Sequence, residues 1–273
     1  MRPLLLALAC LVLAGCAGSR TVEPAPAPSP PGPVPESLPE LEVAAAELPP
    51  VETPKADPAC TPGTEVALRT DRRAYAAVAK GRTVAFARPG RKRLAAFKRR
   101  NVNRYPTVFG VLAAVQGPDC APLWYRVQLP MKPNEIEGYV RARDVDVVRL
   151  HTRIVVDLSK RRLELFKRGR RIVKAKIAIG APITPTPRGS YYVNQRLTAP
   201  DPWGPFGPGA LGISAFSPVL QEWTQGGPIA IHGTNEPSSI GKAISHGCIR
   251  VRNETLLLLF RMAPAGTPVL VRA

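Results

Sequence analysis

The chain is poor in the side chains that most often carry chemistry. Its 273 residues include three histidines and five cysteines. No two cysteines form a C-x-x-C pair, which argues against a zinc ribbon or a thioredoxin-type redox site. No segment is apolar over about 20 residues, the length a membrane-spanning helix needs. Acidic residues are scarce, 20 against 38 Lys and Arg, for a formal charge of +18. The imbalance is uneven. Residues 1–58 carry three basic side chains (Arg2, Arg20, Lys55) and seven acidic ones, which leaves 35 basic against 13 acidic for the remainder. So basic a body suits an anionic counter-surface such as wall polymer or lipid head groups. Nucleic acid would also satisfy the charge, but the N-terminus argues against that partner.

Met1-Arg2 precedes an apolar run from Leu4 to Gly15. The run fits the h-region of a secretory signal. It closes on Leu13-Ala14-Gly15-Cys16, which resembles the bacterial lipobox. That resemblance implies a signal peptide over 1–16, lipidation of Cys16, and an exported lipoprotein anchored at a membrane and facing the cell wall. Twelve of the 38 residues from Thr21 to Pro58 are proline. Residues 17–60 therefore read as a linker near polyproline II, with a reach on the order of 100 Å if stretched. Of the cysteines, Cys10 leaves with the signal and Cys16 carries lipid. An oxidising compartment permits a Cys60–Cys120 disulfide, worth about 4 kcal/mol in loop entropy. Two separate buried thiols are the alternative. Cys248 is left as the odd thiol, a candidate reactive group.

The folded part reads as mainly β. Residues 61–149 form a small β domain, with strands expected at Thr83–Ala87, Val108–Val115, Trp124–Leu129 and Gly138–Arg141. Gly138-Tyr139-Val140-Arg141 with Arg143-Asp144-Val145 resembles the closing strands of a bacterial SH3-like domain. A second domain, 151–273, opens with a meander: Ile154–Leu158, Leu163–Lys167 and Ile172–Gly180. Strands at Ser190–Asn194, Leu211–Phe216, Ile229–His232 and Val269–Arg272 follow. One short helix is expected from a cap at Asn253 to about Met262, stopped by Pro264 and Gly266.

Two stretches gather the chemistry: Ile231-His232-Gly233-Thr234 and Ser245-His246-Gly247-Cys248-Ile249-Arg250. A thiol of ordinary pKa is only a few per cent ionised at neutral pH, so a nucleophilic cysteine needs a base or cation beside it. His232 ends an expected strand, and Cys248 sits in a glycine-containing turn ahead of the helix. Zinc on a His232, His246 and Cys248 set is a rival reading, although the motif offers no acidic base. A non-catalytic wall-binding protein and a thiol protease are two more.

Fifteen residues lie between His232 and Cys248. That spacing, between a His-Gly pair and the cysteine of Ser-His-Gly-Cys-Ile-Arg, resembles the signature of the L,D-transpeptidase (YkuD-like) catalytic domain. The resemblance spans roughly 152–272, including Thr184-Pro185-Thr186-Pro187-Arg188-Gly189. It implies a β-rich catalytic domain with a short helix after the cysteine. It implies Cys248 as nucleophile, His232 as general base, and the carbonyl of Gly233 as the group that orients the imidazole. It further implies that His246 lines the site, that the amides of Gly247 and Cys248 face an oxyanion, and that Ser245 and Arg250 position the turn or bind substrate. The implied substrates are peptidoglycan stem peptides, joined by 3→3 cross-links with loss of D-Ala, and neither a cofactor nor a metal is called for. Water as acceptor would make the enzyme an L,D-carboxypeptidase.

Overall fold

A computed structural model describes residues 60–220 and 222–273, together with a two-residue strand, β1 (Glu42–Val43). The signal segment, Cys16 and the rest of the proline-rich stretch up to residue 59 lie outside the described residues.

The first lobe is one antiparallel sheet. Its strands are β2 (Glu65–Ala67), β3 (Ala74–Ala79), β4 (Thr83–Arg88), β5 (Arg91–Phe97), β6 (Val108–Gln116), β7 (Pro122–Gln128), β8 (Glu137–Arg141) and β9 (Val145–Leu150). They run in the order β5-β4-β8-β7-β6-β3-β9, with β2 added alongside β6. Cys60 and Cys120 are joined by a disulfide, their Cα atoms 5.7 Å apart.

The second lobe holds β10 (Thr152–Asp157), β11 (Arg162–Lys167), β12 (Arg170–Lys176), β13 (Ile179–Gly180), β14 (Gly189–Thr198), β15 (Gly209–Phe216), β16 (Pro228–His232), β17 (Ala243–Ser245), β18 (Ile249–Arg250) and β19 (Pro268–Arg272). Its main sheet runs β12-β11-β10-β19-β14-β15-β16-β18, and β13 pairs with β17 in a small parallel sheet. The only α-helix among the described residues is α1 (Asn253–Met262). Its buried Leu256 and Leu259 pack on Ile229, Ile231, Ile249 and Val251.

Two sequence expectations are corrected. The strand read over Ile172–Gly180 is two strands, because Ala178 turns away to form a bridge with Arg250, accepting and donating at 3.0 and 2.9 Å. Asn253 is the first residue of the helix rather than its cap, a position held by Arg252. The Asn253 Oδ1 instead accepts the Thr234 N–H at 2.8 Å, which ties the helix start to the segment after His232.

The lobes share an apolar seam. Along β3, Tyr75, Ala77 and Ala79 face the first lobe's own core, whereas Ala74 and Ala76 join Tyr105, Val108, Val148, Leu150 and Ala265 in a second cluster. Strand β9 divides the same way, Val145 and Val147 to one side and Val148 and Leu150 to the other. Polar bonds reinforce the seam. The Tyr192 hydroxyl donates to the Val108 carbonyl at 3.0 Å. Asn134 pairs with Phe216 as a strand would, accepting its N–H at 2.8 Å and donating to its carbonyl at 2.9 Å.

The backbones approach closely at Gly266. A Cβ added there would lie 2.2 Å from the Ala76 Cβ, and the residue's φ is +91°. Gly266→Ala combines a steric overlap with a left-handed backbone, so it should lower unfolding free energy by about 3 kcal/mol. Gly81→Ala, whose Cβ would meet nothing within 4 Å, should stay within about 0.5 kcal/mol. Urea denaturation of the two variants checks this; equal stabilities would refute the seam contact.

Candidate active site

The site is made by pairing β16 with β18. The strands run parallel, with Ile231 opposite Ile249 and His232 opposite Arg250. Side chains alternate across a strand. Ile229, Ile231, Ile249 and Val251 therefore point into the core, and Ala230, His232, Cys248 and Arg250 share the other face. Cys248 falls beside Ala230, one pair before His232. Thiol and imidazole are thus diagonal neighbours on one face of two adjacent strands, although fifteen residues separate them in sequence.

Strand β18 is only two residues long, so its position depends on bonds from outside the sheet. Its far side is held by Ala178, and the Val251 N–H donates to the His232 carbonyl at 2.8 Å. The turn before it is laced to the Thr184–Thr186 loop. The Thr184 hydroxyl donates to the Ser245 carbonyl at 3.0 Å and the Thr186 hydroxyl to the Gly247 carbonyl at 2.9 Å. Thr186 also accepts the Gly180 N–H at 2.9 Å. Gly247 adopts φ +111°, a region open mainly to glycine.

His232 is buried, and its Nδ1 lies 2.6 Å from the Gly233 carbonyl oxygen. A carbonyl can only accept, so Nδ1 carries the proton and Nε2 is left as the basic lone pair. Gly233 makes this geometry possible, because a Cβ there would lie 2.4 Å from the Asn253 Oδ1 and 2.9 Å from the Pro208 Cδ. Phe206 lies over the imidazole with ring centroids 4.7 Å apart. Burial drives the His232 pKa down to about 4, with the Arg250 charge adding to the effect against the Gly233 bond. Burial also raises the Cys248 thiol above its ordinary value, opposed by a backbone hydrogen bond with Ala230 and by Arg250. Both shifts favour the uncharged forms, neutral imidazole and neutral thiol.

The other motif residues divide. The Ser245 side chain is buried inside the turn, where it donates to the Cys248 carbonyl at 2.6 Å and accepts the Gly247 N–H at 3.2 Å. It braces the turn that carries Cys248 from within. The same bond occupies the Gly247 amide, which corrects its reading as an oxyanion donor in the resting protein. Arg250 bonds Glu236 at 2.9 Å and fastens the 234–241 segment to β18. His246 stands 5.8 Å from Trp223, centroid to centroid, with Nε2 buried and lacking a protein partner. Burial lowers its pKa, and Arg250 lowers it further. Among the described residues, no three His, Cys, Asp or Glu side chains are grouped so as to hold a metal ion.

Sequence reasoning did not find Phe206, Trp223, Glu236 or the roles of Thr184, Thr186 and Asn253. The threonines sit in a stretch it had marked, between prolines that hold the loop extended. Phe206 and Trp223 lie in irregular segments with no period to expose them.

Depression of the His232 pKa fixes the sign of a pH effect. The unfolded chain, with an ordinary value near 6.5, takes up the proton before the folded one does. Stability is full above about pH 7, falls as pH drops from about 6.5 to 4, and levels off below, a loss of about 3 kcal/mol. His232→Gln should abolish most of that dependence. Guanidinium unfolding of both proteins at pH 7.5 and 4.5 tests it, and parallel losses in the two would disprove it.

Residues 151–271 match the family model of the YkuD L,D-transpeptidase catalytic domain. The putative L,D-transpeptidase YkuD of Bacillus licheniformis is 44% identical over 117 residues, covering 43% of this chain and 63% of that protein. Its Bacillus subtilis counterpart is 37% identical over 118 residues, covering 43% and 64%. The chain thus spans just under two thirds of the length of these curated relatives. Among solved structures, a mutant L,D-transpeptidase of Enterococcus faecium is similar at 25% identity over 44% of this chain and 49% of that one, with a TM-score of 0.35.

Proposed function

We propose that this chain is an exported peptidoglycan L,D-transpeptidase working through a Cys248 thioester. One observation carries the reading: the Gly233 carbonyl fixes the His232 tautomer, so that Nε2 is the base, on the strand face that also bears the only free cysteine among the described residues. The family match over the same residues supports it.

The chemistry follows from the neutral pair. As Cys248 Sγ attacks the carbonyl of the third stem residue, its proton passes to His232 Nε2. The imidazolium that forms is stabilised by its Nδ1–H bond to Gly233, the part an Asp plays in a serine triad. Collapse of the tetrahedral intermediate breaks the peptide bond, and His232 returns the proton to the departing amine of D-Ala. The side-chain amine of a second stem then attacks the thioester, giving a 3→3 link and restoring the thiol. The Cys248 amide is the remaining backbone donor for the oxyanion, and the unpartnered His246 Nε2 a second polar group at the site. Water as acceptor would give L,D-carboxypeptidase action from the same intermediate.

The rest of the chain fits an anchored wall enzyme. Cys16 would carry the lipid, the proline-rich linker would hold the body off the membrane, and the first lobe, read as an SH3-like module, would flank the catalytic one.

Cys248→Ala should abolish D-Ala release from purified tetrapeptide muropeptides while leaving the circular dichroism spectrum intact, and His232→Ala should cut it by about 10³-fold or more. Intact-protein mass spectrometry after carbapenem treatment should show one adduct, on Cys248. Full muropeptide turnover by Cys248→Ala would overturn the proposal. Product analysis separates cross-linked dimers from trimmed tripeptides.

A further inference from the structure

An open cleft of about 390 Å³ is lined by Thr70, Arg72, Arg73, Arg149, His151 and Arg168. Its walls come from the turn before β3, the junction of β9 with β10, and the turn between β11 and β12. In the second sheet β11 and β12 stand at one edge and β18 at the other, so the cleft is remote from Cys248.

The walls are held in place. The Thr70 hydroxyl oxygen accepts the N–H groups of Arg72 at 3.3 Å and Arg73 at 3.1 Å, and the Thr70 N–H donates to the Arg73 carbonyl at 2.8 Å. The Arg168 N–H donates to the His151 carbonyl at 2.7 Å, tying the β11–β12 turn to the lobe junction. Arg72 crosses that turn, and a Cβ on Gly169 would lie 3.3 Å from its Cγ. Arg73 lies over the Tyr75 ring at 5.9 Å, with its Nε buried and unpartnered.

No lining residue is acidic. Asp71, within the same turn, is bonded to Arg153 at 2.6 Å. Four arginines line one concavity, and their positive charge concentrates anions there. Their planar forks match the oxygens of a phosphate group, bidentately and with little desolvation cost. The volume suits a ligand of headgroup size. We infer that this cleft binds a phosphate group, free or carried by a lipid headgroup, at the joint of the two lobes. The inference stands apart from the chemistry assigned to Cys248.

The test uses the full chain with Cys16→Ser, so that no acyl chain contributes. Calorimetric titration with inorganic pyrophosphate, at ionic strength fixed with sodium chloride, is compared with co-sedimentation on phosphatidylglycerol vesicles. Arg72→Gln with Arg168→Asn, both at exposed positions, should weaken binding at least about tenfold. Carbapenem acylation of Cys248 should be unchanged in that variant, which also reports its folding. A single Arg168→Asn variant serves if the pair fails to fold. Binding of both probes with loss in the variant supports the site for phosphate in general. Binding of vesicles alone with the same loss supports it for a headgroup. No binding of either probe, or binding that the variant leaves unaltered, overturns it.

Discussion

The pairing of β16 with β18 is the constraint on which the candidate chemistry rests. A parallel pair keeps facing residues on the same side, so one register sets both the apolar and the polar face. With Ile231 opposite Ile249, the isoleucines go to the main core and the histidine and cysteine to the opposite face of the strand pair. A slip of one residue would send Cys248 inward and an isoleucine outward. The surrounding bonds can be read as devices against that slip. Ala178 pairs with Arg250, two threonines grip the turn, and Ser245 closes it from within.

Burial then does what sequence order cannot. Phe206 and the strand pair shield His232, which lowers its pKa, and the same shielding raises that of the thiol. A neutral pair spares the resting protein a buried charge separation, which a low-dielectric site would oppose. The Gly233 carbonyl is suited to this: a neutral acceptor fixes the tautomer without adding a charge.

Much of this was legible beforehand, for identifiable reasons. Strands such as β7, β11 and β16 alternate or end at polar turns, and they appeared near their expected limits. Strand β3 did not, because Ala74–Ala79 is covered on both faces and has no polar side to alternate with. Strand β5 was missed for the opposite reason: Arg91, Lys92 and Arg93 make an exposed edge with little apolar signal. At the site, His232 and Cys248 stood out because histidine and cysteine are scarce here. Ser245 was only half understood, since nothing in Ser-His-Gly-Cys tells whether the hydroxyl turns inward. Asn253 misled because a side-chain oxygen one residue into the helix can serve a neighbouring loop as well as its own first turn.

The apolar seam has a bearing on where the chain can be cut. The family match begins at residue 151, which looks like a natural border. The core does not respect it: Ala265 belongs to a cluster otherwise supplied by residues 74–150, and Tyr192 reaches across to Val108. A fragment starting at 151 would carry an uncovered tyrosine ring, an alanine and glycine corner shaped to fit Ala76, and a Phe216 backbone without its Asn134 partner. By sequence the second lobe is a unit; by packing it is half of one, and the smaller lobe acts as part of its scaffold.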